Sequence, residues 1–150
     1  MTELQALLDE REISRALSRF ARILDEKRWD DLPDVFATDR SFEYGGGEKQ
    51  GMAALEEQMR QFLDVCGPTQ HLIGSLLIDV DGDQGTSRAY VQARHQRRDD
   101  PVGAIFDSTG EYRDRWERRP EGWRIVRRDA IWFLHSGDPM ILAVKDGDLG

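Results

Sequence analysis

Apolar residues along the chain keep two different periods, and the switch between them divides the sequence. In the first part they recur at helical spacing: Leu4, Leu7 and Leu8, then Ile13, Leu17, Phe20, Ile23 and Leu24. Thr2 followed by Gln5 has the form of a capping box, and the pattern ends near Asp25-Glu26-Lys27. A short second helix fits Asp30 to Phe36, with Asp30 or Asp31 as cap, Pro33 in its first turn, and Leu32, Val35 and Phe36 turned inward. Ser41 to Tyr44 reads as a short strand ended by Gly45-Gly46-Gly47. Met52, Leu55, Met59, Phe62, Leu63 and Cys66 form one stripe, which predicts a third helix stopped by Gly67-Pro68.

Beyond Pro68 the period is two. Gln70 to Val80, Thr86 to Arg97, Ile105 to Arg119 and Trp123 to His135 read as four long strands. Asp81-Gly82-Asp83 and Pro120-Glu121-Gly122 are turns short enough for antiparallel hairpins. Helices first and long strands after them define an α+β fold with the helices on one face of the sheet. Strands of this length in a small sheet should curl and leave a concave face. Repeats and internal linkers are absent from the sequence. The expected organisation is one domain over residues 1–135 and a tail over residues 136–150. Arg98 to Ala104 and that tail look loose. The tail's apolar cluster, Met140 to Val144, either docks on a pocket mouth or a neighbour, or frays.

Composition narrows the function classes. With 39% hydrophobic and 33% charged residues, the 150-residue chain can bury a core and does not read as disordered. Its net charge of -8 argues against a nucleic-acid binder, which needs a basic surface to neutralise phosphates. Apolar runs fall short of the ~18 residues of a membrane helix, and the N-terminus is charged where a signal peptide is apolar. The expected location is therefore cytoplasmic, away from membranes. A single cysteine, Cys66, can form neither an internal disulfide nor a Cys-rich zinc site.

Motifs for nucleophilic serine chemistry, for a phosphate loop and for a zinc helix are missing, and Gly45-Gly46-Gly47 lacks the lysine-serine ending of a phosphate loop. The expectation is no metal and no cofactor. His71, His95 and His135 fall in three different strands. His71 opens a strand, in QHLIGSLLI, and alternation puts it on one face with Ile73, Ser75 and Leu77. A neutral imidazole there could take a proton, or simply bond a backbone carbonyl. Asp25 is a candidate partner, although on a helical wheel it lies off the apolar stripe. Arg127 and Arg128 point to opposite faces of the last strand, so one of them enters the concavity. It then needs a carboxylate, with Asp107, Glu111 and Asp129 as candidates, or an anionic ligand. Tyr44, Tyr90, Tyr112, Trp116 and Trp132 either line a pocket or fill the core. Val91, Trp116 and Ile125 are candidates for an outer sheet face.

The ordered segments ILDEKRWDDLPDVFATD, GMAALEEQMRQFL, TQHLIGS, DGDQGTSRAYVQARH and GEYRDRWERRPEGWRIVRRDAIW together resemble the SnoaL-like branch of the nuclear-transport-factor-2-like (NTF2-like) superfamily, over Leu7 to Trp132. The resemblance implies a cone of helices on a strongly curved antiparallel sheet around an apolar pocket. The branch includes scytalone dehydratase, bile-acid dehydratase, hexachlorocyclohexane dehydrochlorinase and polyketide cyclases. In several of these lyases an Asp after the first helix orients a His that removes a proton from carbon. Asp25 and His71 match those positions, and Arg128 matches an arginine that assists the leaving group. Phe20 stands where relatives carry a lysine or a tyrosine, and Ser75 where many carry a polar group such as Asn. Tyr44 is a candidate for the missing acid, and Phe20, Tyr44, Ser75 and Trp132 are the implied substrate contacts. The implied function is a lyase or isomerase of dehydratase or cyclase type acting on a small hydrophobic carbonyl compound, as a homodimer or homotrimer. The superfamily also contains non-catalytic binding and assembly modules, so fold alone does not decide function. A third alternative is a lone-carboxylate isomerase, with Asp107 or Glu111 pointing inward and Asp25 outward.

Overall fold

The computed structural model describes residues 2–99 and 102–142. Helix α1 spans Glu3–Glu26, a 3₁₀ turn Trp29–Asp34, β1 Phe36–Glu43, β2 Glu48–Gln50 and α2 Met52–Leu63. The strands β3 (Cys66–Asp81), β4 (Gln84–Arg97), β5 (Ile105–Arg119) and β6 (Gly122–Gly137) follow, then a 3₁₀ turn at Pro139–Leu142.

The Thr2 hydroxyl accepts the Gln5 amide of α1 at 3.0 Å, but the Gln5 side chain donates to Asp9 instead of completing a capping box. At the other end Lys27 takes a left-handed φ of 54°, and its amide and that of Arg28 close onto Leu24 and Ile23. This satisfies carbonyls that a helix end leaves orphaned. The expected second helix is a six-residue 3₁₀ turn, because Phe36 leaves it to pair with Ile125 of β6. The strand expected at Ser41 to Tyr44 is correspondingly longer. β2, at three residues, is too short to show a period. The stripe assigned to the third helix ends at Leu63, and Cys66 already belongs to β3. Pro68 does not stop that strand, because β3 lies at the sheet edge and the register shifts between Cys66 and Thr69.

The six strands form one curled, unclosed sheet in the order β2-β1-β6-β5-β4-β3. β3 to β6 are antiparallel hairpin neighbours, while β1 runs parallel to β6, so the sheet is mixed. Register shifts at Gly74/Leu77, Thr109/Gly110 and Arg115/Trp116 mark the bends. Gly110 is required at its bend, since a Cβ there would sit 2.3 Å from the Ile131 carbonyl.

Helix α1 lies against the inner sheet face. Ile13, Leu17, Phe20 and Leu24 pack with Val91, Tyr112, Trp116, Trp123 and Ile125. Val91, Trp116 and Ile125 are thus core residues and not outer-face residues. Tyr90 does face outward, 55% exposed. The tail is partly docked: Ile141 is buried with Cys66 and Phe106, while residues 143–150 lie outside the described residues, as do Asp100 and Pro101 of the expected loose loop. Among the described residues, no helix is long and apolar enough to cross a membrane.

Candidate active site

The end of α1 and the start of β3 are fastened together. The Lys27 ammonium donates to the Cys66 carbonyl at 2.7 Å, and the Trp29 indole donates to Asp64 at 2.8 Å. This brings Asp25 beside Thr69 and His71. Asp25 Oδ1 accepts the Thr69 hydroxyl at 2.9 Å and lies 2.7 Å from His71 Nδ1, while Oδ2 accepts the His71 amide at 3.0 Å. The wheel puts Asp25 off the core stripe because it faces the edge strand at the side of the sheet, about 100° round from Leu24. Burial alone would raise the Asp25 carboxyl, but the hydrogen bonds from the His71 ring, the His71 amide and Thr69 outweigh it and hold it below its ordinary value.

A second imidazole stands beside the first. His95 meets His71 edge to face, with ring centroids 5.8 Å apart, and its Nδ1 lies 2.9 Å from the Phe106 carbonyl. With Nδ1–H donated to that carbonyl, Nε2 is left as an acceptor. Burial pushes His95 below its ordinary value, which favours the neutral ring. The contact of His95 with His71 escaped the sequence reading: counting the β3–β4 hairpin back from its turn would set His95 opposite Gln70, and only the register shift after Gly74 brings it opposite Thr69 and diagonal to His71.

Arg128 is the inward arginine, and Arg127 turns out to Asp129 and Glu48. Arg128 is fully buried and grips Asp114 with two bonds of 2.7 and 2.8 Å, a partner not among the three acids expected. Its guanidinium lies 3.9 Å from the Tyr112 ring centroid and 4.4 Å from that of Phe20. Burial opposes its charge, yet Asp114 holds Arg128 above its ordinary value. Arg128 is therefore committed to an internal ion pair and not offered to a ligand. Its remaining reach, 3.3 Å, is to the Tyr44 hydroxyl, which accepts. Burial raises the Tyr44 phenol, so it keeps a proton to donate.

Two more expected contacts lie elsewhere. Phe20 is fully buried in the core against Phe36, Tyr112 and Arg128. Ser75 sits in the β3 bulge with φ 51°, where the alternation slips, so Leu76 and Ile78 take the partly buried positions while Ser75 and Leu77 face solvent. Asp107 and Glu111 face outward to Arg94, Arg88 and Arg113, the reverse of what a lone-carboxylate site requires.

Tyr44 and Trp132 line a cleft of about 960 Å³ between α2, the glycine turn and the ends of β5 and β6, with Phe62, Phe106, Ser108 and His135 among its walls. The Trp132 indole donates to the Tyr44 carbonyl at 3.3 Å. His135 stacks on Phe106 at 5.5 Å and its Nδ1 lies 2.9 Å from the Ser108 hydroxyl. His71, 7% exposed, does not line the cleft; Phe106 does, and His95 packs between Phe106 and His71. Among the described residues no cluster of three or more potential metal ligands occurs.

N-terminal helices packed on a curled, unclosed, mixed six-strand sheet are the architecture of the chain's NTF2-like fold neighbours. The SnoaL-like domain family matches residues 5–129, and the chain belongs to that family. It is 29% identical over 130 residues to the uncharacterized protein Rv2910c of Mycobacterium tuberculosis, covering 85% of this chain and 88% of that one. Among solved structures, the Kfla4162 protein of Kribbella flavida superposes with a TM-score of 0.82 at 21% identity, covering 91% and 98% of the two chains. A type 2 hexachlorocyclohexane dehydrochlorinase superposes with a TM-score of 0.80 at 16% identity, covering 91% and 93%.

Proposed function

We propose that the chain is a lyase of the dehydratase type, in which Asp25 and His71 act as a general-base pair on a small hydrophobic carbonyl compound. The reading is carried by the 2.7 Å contact between His71 Nδ1 and Asp25 Oδ1, with the carboxylate held by two further donors. A carboxylate fixed in this way keeps the proton on Nδ1 and leaves Nε2 as the base, the arrangement by which an orienting acid serves a catalytic histidine. Membership of the SnoaL-like family and the fold shared with a dehydrochlorinase support an elimination.

In the proposed reaction His71 Nε2 takes the proton from the carbon beside the carbonyl. Asp25 stabilises the imidazolium that forms. The Tyr44 hydroxyl, accepting from Arg128, donates its own proton as a hydrogen bond to the enolate oxygen. His71 returns its proton to the departing β-hydroxyl, the C–O bond breaks, a C=C bond forms and water leaves. Where nothing departs, the same base serves an isomerase or a cyclase. Arg128 acts through Tyr44 as a positioning residue.

One observation favours a second reading, a non-catalytic ligand-binding or assembly module: His71 is nearly covered and lies behind His95 and Phe106 from the cleft. The two readings separate in a panel of β-hydroxy carbonyl compounds assayed for dehydration. The lyase reading expects turnover that falls ~10²–10⁴-fold in His71→Ala, the contribution of a positioned base, and comparably in Asp25→Asn. Near-normal turnover in both variants would remove the pair from the mechanism. Binding of a panel member with no turnover in the wild type would favour the module.

A further inference from the structure

We infer that the cleft beside Tyr44 and Trp132 selects ligands carrying a carboxylate, with Lys49 and His135 as the residues that receive it. The inference rests on the functional proposal in taking that cleft to be where substrate is received, with the His71 base reached from it past Phe106 and His95.

Charge distribution is the first ground. The chain carries 29 acidic residues against 21 Lys and Arg, yet the cleft walls contain no Asp or Glu among the described residues. Four smaller depressions on the surface each hold at least one carboxylate. Glu43, which precedes the glycine turn at the cleft, is occupied by the amides of Gly45 and Gly47. Excluding acids from the largest of these five concavities in an acidic protein leaves a local site in which an anion meets no carboxylate among the described wall residues.

Donor placement is the second ground. Lys49 reaches the cleft from β2 and is steadied by the Gln58 side-chain carbonyl of α2 at 2.5 Å, which occupies one of its three N–H donors. On the β6 side the Ser108 hydroxyl can donate to His135 Nδ1, which leaves Nε2–H to be donated. The stack of His135 on Phe106, interplanar angle 10°, fixes the ring's plane. Phe62, Phe106 and Trp132 supply apolar walls for a flat ring system. The ligand this describes is a flat, apolar, ring-sized acid whose carboxylate takes N–H donors at the mouth while its body lies on the aromatic walls. A charge-assisted hydrogen bond is roughly twice as strong as a neutral one, so an uncharged isostere should bind distinctly less well.

The test is calorimetric titration of the whole protein with 2-naphthoate and with its neutral isostere 2-naphthamide, while the Trp132 indole N–H resonance locates the bound ring. The expected result is at least tenfold tighter binding of the naphthoate, with the Trp132 signal shifting. That preference should shrink to less than threefold in the double variant Lys49→Gln, His135→Gln, whose fold is checked by circular dichroism. Equal binding of the two probes, no binding of either, or a preference that survives in a folded double variant would each overturn the inference. Because naphthoate has no β-hydroxyl to lose, the assay is independent of turnover. Its outcome in His71→Ala, expected to match wild type, separates failure here from failure of the lyase proposal.

Discussion

The buried charges differ in how well they are answered. Arg128 has a bidentate carboxylate and three aromatic faces, whereas Arg40, also fully buried, leaves Nε and Nη1 without a partner among the described residues. Burial lowers the Arg40 guanidinium to about 10. An unanswered buried polar group costs ~1–3 kcal/mol, so Arg40→Met should raise the stability of the chain by an amount of that order. Chemical denaturation measures it, and a loss of stability would mean that the guanidinium has a partner after all. At Arg128 the expectation is opposite. Arg128→Met strands Asp114 and should cost ~3–5 kcal/mol, the usual penalty for breaking a buried pair.

Between elements, Asp9 ties α1 to the β5–β6 hairpin. It is almost completely buried and accepts from both Arg118 terminal nitrogens at 2.9 and 2.8 Å and from the Trp123 indole at 3.1 Å. The hydrogen bonds from Arg118, opposed by burial, hold its carboxyl below the ordinary 3.8. A lowered carboxyl contributes stability above its unfolded value and loses it as pH falls through the folded one. Wild-type stability should therefore drop below about pH 3.8, and less steeply in Asp9→Asn, as followed by denaturation at a series of pH values. Much of this level was legible in the sequence. The period of two placed all four long strands, and the helical stripe placed α1, because each element buries one face. What periodicity cannot carry is a register slip. The bulge after Gly74 reversed the facing of Ser75 and Leu77, and the departure of Phe36 into β1 shortened the second helix. Asp25 and His71 were candidates from the residues themselves, but the wheel turned Asp25 away from the core, and the resemblance joined the two as a pair. The pairing of Arg128 with Asp114 depends on register between β5 and β6, which no local pattern announces.

At the scale of the molecule, the outer face of the sheet carries a row across four strands, Leu72, Gln92, Thr109 and Leu134, beside the edge-to-face pair Tyr90 and Phe133. Leu72, Tyr90, Phe133 and Leu134 are each more than half exposed, at 57, 55, 53 and 56%. Their rim, Arg94 with Asp107 and Arg88 with Glu111, mixes both signs, which suits a face that meets its own copy. The account expects a homo-oligomer in sedimentation and a 17.3 kDa monomer for Leu72→Asp with Tyr90→Asp. A monomeric wild type at tens of micromolar would count against self-association.

The chemistry depends on which nitrogen of one ring holds the proton. Long-range ¹H–¹⁵N correlation of the imidazoles reads this directly at the pH of turnover, with His71→Ala and Asp25→Asn as assignments and controls. The prediction is that the His71 proton sits on Nδ1 with Nε2 bare, and that this pattern is lost in Asp25→Asn. A bare Nδ1 in the wild type, or a ring whose tautomer ignores Asp25, would contradict the proposed base.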